Sequence, residues 1–366
     1  MISIFTPRHI NEAKTMAKNA RKLLQYKRDI LGEEAAADFE ARIAALEGAA
    51  KGRDAAAVEL EARRLEQRWS EALPPTPDAG WRENCEVFLV AIVIAIAVRT
   101  YFLQPFTIPT GSMQPTLNGI IGVPTGELPP NILKRIWDFA ILDRTYVNVV
   151  ATEEGTVVGL TEKSPLPFLT YSELECGPKT YVIYAPAATL SRDFHVKWAN
   201  EYHAGDVIAR GYVNGGDHVF VDKVSYNFRR PDRGKVFVFK TTGILGIEKT
   251  LPADSGSQFF IKRLAGLPGD TLRIQSPSLF INGALAGGEG FQRVMSAEGG
   301  YGGYQAVGSL SDGESVSLPP ESYFALGDNS YNSYDSRYWG RVPQENIMGK
   351  GLFVYWPFTR HWGLIR

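Results

Sequence analysis

Twelve consecutive apolar residues, Val87–Val98 (VFLVAIVIAIAV), constrain this chain more than any other stretch. Counted out from Cys85 to Leu103, the segment is about long enough to cross a bilayer as a helix. Arg99 near one end can extend its charge toward the polar boundary, and Trp81 and Tyr101 flank the run. A buried core helix is the other use for twelve apolar residues. Apolarity on every face and a position between two polar regions favour a span. The run starts too deep in the chain for a conventional cleaved leader. Arg68 and Arg82 precede it, and after Arg99 no lysine or arginine appears until Lys134, which places the N-terminus on the inner side.

Residues 1–80 read as helical. Ile10, Ala13, Ala17, Ala20, Leu24 and Leu31 recur at helical spacing, as do Phe39, Ile43, Leu46 and Ala50, then Val58, Ala62, Leu65, Trp69 and Ala72. Gly32 and Gly52 mark breaks. Residues 1–84 hold 14 Lys/Arg and 14 Asp/Glu, so the outer faces carry mixed charge and the region reads as a hairpin or coiled coil packing on itself. Pro74, Pro75 and Pro77 make a stiff linker.

Beyond the span the text is β. Tyr146–Val150, Thr156–Leu160 and Thr180–Tyr184 suggest a β-rich insertion over 120–204, where no chemistry stands out and Cys176 reads as an ordinary thiol. From Gly205 the strands strengthen: His218–Val224, Lys235–Lys240 and Gln258–Leu264, then Leu272–Ile274, Leu279–Ile281 with a tight turn at Asn282–Gly283, Tyr323–Leu326 and Leu352–Trp356. Gly287–Ser315, rich in Gly and Ser, reads as a mobile loop. Short strands divided by turns imply a mainly β catalytic domain, an antiparallel sandwich or open barrel.

Chemistry concentrates in three places. Gln104–Gly119 (QPFTIPTGSMQPTLNG) carries Ser112 in a turn stiffened by Pro105, Pro109 and Pro115. A serine needs a base to become a nucleophile. The five histidines are scattered, without metal-ligand spacing or a motif suggesting a triad. Lys262 follows Phe259, Phe260 and Ile261, apolar surroundings that would lower its pKa and free it to act as a base; the other reading is an exposed strand lysine paired with an acid. Gly327–Arg337 (GDNSYNSYDSR) offers Asp328, Asp335 and Arg337 for pairing and Ser330, Ser333 and Ser336 to orient an amine. A net charge of −1 gives no cause to expect a nucleic-acid partner, and neither metal nor cofactor is expected.

Together these stretches resemble the type I signal peptidases, membrane-bound serine proteases with a Ser–Lys dyad. Pro109–Leu117 (PTGSMQPTL) resembles the family's serine box, Gly216–Lys223 the strand that follows it, Phe260–Asp270 (FIKRLAGLPGD) the lysine box, and Gly327–Gly340 the G-D-N box. The resemblance implies that 104–119 and 205–366 form the catalytic domain, with Ser112 as nucleophile and Lys262 as general base. Ser333 would hold the lysine amine. Thr110 and the Ser112 amide would form the oxyanion hole, and Asp335 with Arg337 a supporting ion pair. Phe106, Ile108 and Ile261 would line pockets for small side chains, with Met113 and Leu117 nearby. It further implies a bacterial plasma-membrane enzyme with a cytoplasmic N-terminus. Its catalytic domain would lie outside, removing signal peptides after small-x-small sites. Preproteins and membrane lipid would be its partners, with the secretion translocon a candidate. An inactive membrane-tethered binding protein of the same fold is the alternative; Ser112 and Lys262, both present, count against it. Thr110 stands where many members have serine, and Arg233–Gly234–Lys235 where R-G-D is usual.

Overall fold

The computed structural model describes residues 7–72, 79–166, 169–250 and 258–366; the expected linker prolines Pro74, Pro75 and Pro77 lie outside them. Two compact units divide within the apolar helix, Met1–Val93 and Ile94–Arg366. In the first, the helical stretch α1 (Arg8–Gly52) is broken at Gly32, whose φ of +74° suits a residue without Cβ, and Arg53 in the left-handed region precedes α2 (Ala55–Ala72). Their apolar stripes close on each other: Ile10, Leu24, Phe39, Ile43, Leu46, Val58 and Leu65 form one buried core, with Trp69 edge-on to Phe39 at 4.8 Å. Helix α3 (Ala79–Tyr101) is long and apolar enough to cross a membrane, and its large apolar side chains are exposed.

In the second unit the chain leaves α3 two residues before the expected end of the span. Pro105 disfavours helix at Gln104, and Leu103 already pairs with Asp222 in the first strand, β1 (Leu103–Thr107). There follow β2 (Ile121–Pro124), α4 (Ile132–Leu142), β3 (Arg144–Val150), β4 (Gly155–Leu166), β5 (Leu169–Cys176), β6 (Lys179–Ile183), α5 (Ala187–Asp193), β7 (Glu201–Tyr202) and β8 (Val207–Asn214). β8 pairs with β2 and β3, so the small β unit closes at Asn214, past the expected edge at residue 204, and it includes two helices. Its own core gathers Val147, Leu174, Ile183, Leu190, Val196 and Ile208.

The second unit continues as β9 (His218–Asp222), β10 (Val236–Lys240), β11 (Phe259–Gly266), β12 (Thr271–Gln275), β13 (Ser278–Ile281), β14 (Ala284–Leu285), β15 (Val316–Ser317), β16 (Ser322–Leu326), β17 (Val342–Pro343), β18 (Ile347–Trp356) and β19 (Gly363–Leu364). The main antiparallel sheet runs β1-β9-β18-β10-β11-β16-β17, with β19 on β18. A second sheet runs β14-β13-β12-β15. The β13–β14 turn holds Asn282 and Gly283 at φ +53° and +81°, the twist a two-residue hairpin requires. The fold is thus mainly β and antiparallel, as the strand pattern implies.

The expectation of a mobile loop over 287–315 is overturned. Glu289–Met295 is a helix that buries Phe291 and Val294 in one core with Tyr304 and Leu310. The glycines there serve geometry: Gly288, Gly303 and Gly308 take positive φ between buried anchors.

Candidate active site

The serine stretch leaves β1 extended and tightens into a single 3-10 turn, Gly111–Met113. Beneath it Ile108, Met113 and Leu117 are buried with Val219, Val221, Val236 and Val238, which anchors the turn to the sheet. The loop after β16 grips it from the other side. Asn329 N donates to Ser112 O at 3.0 Å, and Asn329 Nδ2 donates to Gly111 O at 3.2 Å. Gly327 packs so closely that a Cβ there would collide with Ser333 Oγ and the Ser112 carbonyl.

β11 brings the lysine. Side chains alternate along the strand. Lys262, buried like Ser112, places Nζ 2.6 Å from Ser112 Oγ, although 150 residues separate them in the chain. Thr110 Oγ1 lies 3.3 Å from the same Oγ. Burial pushes the Lys262 pKa down to about 8, against an upward pull from Asp335 and Asp328 and with a smaller downward push from Arg337. Among the described residues Lys262 has no salt-bridge partner, because both nearby carboxylates belong to arginines.

Arg337 bonds both oxygens of Asp335 at 2.8 Å, and its remaining donors go to Ser330 Oγ, Ser330 O and Gln305 O. All five guanidinium N–H groups are thereby used. Asp335 also accepts from Gly327 N at 2.9 Å. Arg263, next to Lys262 on β11, bonds both oxygens of Asp328 and reaches Thr116 Oγ1 and Gly234 O. Both ion pairs are fully buried. Where R-G-D was the usual pattern, Arg233 finds its carboxylate in Asp270 instead, at 2.6 Å.

A cleft of about 630 Å³ opens over Ser112 and Lys262, walled by Phe259, Phe260, Ile261, Ser333 and Tyr338. Among the expected site residues, Ser112, Lys262, Thr110, Ser333 and Ile261 line it. Phe106 sits half-buried with its ring 5.4 Å from Phe259. Ile108, Met113 and Leu117 lie in the core beneath the turn. Ser333 Oγ is buried without a hydrogen-bond partner among the described residues; the amine it was expected to hold is bonded to Ser112. Sequence reasoning missed Arg263, Asn329 and Arg192. Arg192, from α5 in the small β unit, reaches the cleft wall while paired to Asp193 at 2.7 Å. The charge of Arg263 beside an expected catalytic lysine was a signal available in the text.

Residues 81–122 and 180–356 match the family described as signal peptidase, peptidase S26. The chain belongs to that family. Over 144 residues it is 34% identical to a probable signal peptidase I-2 of Synechocystis sp., covering 39% of this chain and 57% of that protein, somewhat over half of the relative's length. It is 29% identical over 256 residues to a signal peptidase I of Pseudomonas fluorescens, covering 58% of this chain and 81% of that protein. A crystal structure of a signal peptidase I from Enterococcus faecalis V583 aligns at TM-score 0.24 and 28% identity, covering 33% of this chain and 97% of that one. Both blocks of the family match fall on the parts built above: the serine turn in the first, and the lysine strand with its two buried ion pairs in the second. Residues 123–179, which hold α4 and β3 to β5, lie between the blocks.

Proposed function

We propose that this member of the signal peptidase family is a membrane-anchored endopeptidase that removes signal peptides from preproteins. Ser112 Oγ attacks the scissile carbonyl, Lys262 takes its proton, and the amine then returns that proton to the leaving nitrogen. Water, activated by the same amine, releases the acyl group. The observation that carries the reading is the 2.6 Å approach to a serine hydroxyl of a buried lysine that has no salt bridge among the described residues. A free lysine is almost wholly protonated at neutral pH, whereas one with a pKa of about 8 is neutral in roughly a tenth of molecules at pH 7. Thr110 Oγ1 and the Ser112 amide are the donors for the developing oxyanion. Ser333 is the buried hydroxyl available to hold the amine once Ser112 is acylated.

The substrate is read as a strand. Among the described residues β1 has a partner on one side, in β9, and the first half of β11 pairs only with β10. Backbone pairing of an extended cleavage segment with these open edges gives affinity, and the apolar wall at Phe106 and Ile261 selects small side chains. α3 is read as the single span, with the N-terminal helices cytoplasmic and the catalytic domain outside.

The test is cleavage of a model preprotein in liposomes by the native chain, Ser112→Ala and Lys262→Ala. Loss of cleavage in both, with the native rate rising as pH passes about 8, is expected. Full activity in Lys262→Ala refutes the dyad. No cleavage by the folded native chain favours a binding protein of the same fold.

A further inference from the structure

Helix α4 is built inside out. Ile132, Leu133, Ile136, Trp137 and Phe139 are all more than half exposed, Leu133 by 76%. The one acid of the helix, Asp138, is buried and accepts a 2.6 Å bond from the Tyr146 hydroxyl. A helix on a water-exposed surface turns those groups the other way. Both of its ends are capped. Asn131 Oδ1 accepts from Lys134 N at 2.9 Å, and Asp143 caps the other end at φ +51°.

The helix is also pinned to the catalytic sheet. Trp356 Nε1 donates to Ala140 O at 2.8 Å, Phe358 N donates to Ile141 O at 2.9 Å, and the Phe139 ring meets Trp356 edge-on. Its apolar surface continues into exposed Phe358, whose ring lies 6.0 Å from that of exposed Trp362. The charged groups on the exposed surface of α4 are Lys134 and Arg135, which have no salt bridge among the described residues.

We propose that α4 docks into the interface of a bilayer carrying anionic headgroups. Its apolar side chains enter the acyl region, and Lys134 and Arg135 meet the phosphates. Two observations select lipid over a second copy or a protein partner. Within α4 the exposed side chains pair large apolar groups with cations, and the one acid of the helix is turned inward. The same chain also carries a helix fit to span a membrane, which would hold every copy beside lipid. The proposal rests on that span reading. It gives the catalytic domain a second attachment, contributed by the segment between the two blocks of the family match, and so restricts its tumbling at the surface.

The full chain is reconstituted in phosphatidylcholine–phosphatidylglycerol vesicles, with and without acyl chains brominated near the headgroup. The emission difference between the native chain and Trp137→Phe isolates Trp137; Trp81→Phe does the same for the head of the span. Trp137 emission is expected to be lost in brominated vesicles and recovered in Ile136→Glu. Quenching is expected to weaken in the double variant Lys134→Gln, Arg135→Gln. Quenching of Trp81 with Trp137 undiminished would overturn the docking and leave the span standing, handing the face to a protein partner or a second copy. Neither residue quenched would overturn span and docking together. Quenching indifferent to the two cations would overturn the headgroup contact.

Discussion

In the helical unit Arg63 bonds Glu59 at 2.6 Å with 76% and 66% of the two side chains exposed; beside the serine turn Arg337 bonds Asp335 at 2.8 Å with neither exposed. The bond lengths are alike and the consequences are not. The exposed pair is solvated in the folded and unfolded chain, so it contributes little. The buried pair has left water, and each partner depends on the other. The lesson extends to Lys262. It sits among carboxylates, but each is already held by an arginine, so the amine gains no counter-ion and burial decides its pKa. On this view the arginines leave the lysine pKa low as much as they hold the loop.

The sharpest break of that comparison is Lys262→Met. Cleavage is expected to fall by about 10⁴-fold or more, while thermal unfolding in detergent at pH 7 shows a more stable protein by about 1–3 kcal/mol. The sign follows from the depressed pKa. Below about 8 the folded protein carries a desolvated ammonium, at a cost of about 3 kcal/mol. That cost disappears as pH rises from the folded pKa toward the unfolded value, so native stability climbs over that window and the variant's does not. A Met variant no more stable than the native chain would undo the account.

Next in size is Asp335→Ala, which strands the Arg337 guanidinium. A loss of about 3–5 kcal/mol is expected in the same measurement, and a loss no larger than that of a surface pair would erase the contrast. Arg337→Gln sharpens it differently. With its arginine gone, Asp335 pulls the lysine pKa upward, so the cleavage–pH profile moves alkaline by roughly a unit. A profile that stays in place would leave the arginine a structural role alone. The smallest effect belongs to Arg63→Ala, where no resolvable change in Tm or cleavage rate is expected.

Much of this was written in local patterns. The helical spacing of Phe39, Ile43, Leu46, Val58 and Leu65 is the spacing of their shared core, because a stripe repeating every turn must be covered. Alternation in His218–Val224 and Lys235–Lys240 marked β9 and β10 for the same reason at period two. Gly287–Ser315 misled because glycine density reports backbone freedom and not its use; Phe291 and Val294 were the apolar pair that outweighed it. The charge of Arg263 could be read but its partners could not, because Asp328 and Thr116 lie 65 and 147 residues away.

By itself, the sequence determined which residues could do chemistry: a serine in a proline-stiffened turn, a lysine among phenylalanines, a polar loop with matched charges, and one helix apolar on every side. Those are properties of neighbours in the chain, set by sterics and hydropathy at short range. Only the tertiary structure decided that Ser112 and Lys262 meet at 2.6 Å, that Asp335 and Asp328 belong to arginines rather than to the lysine, and that α4 turns its apolar side outward. Each depends on burial and on which distant groups share it, and desolvation energy is a property of the folded surroundings that no local stretch contains.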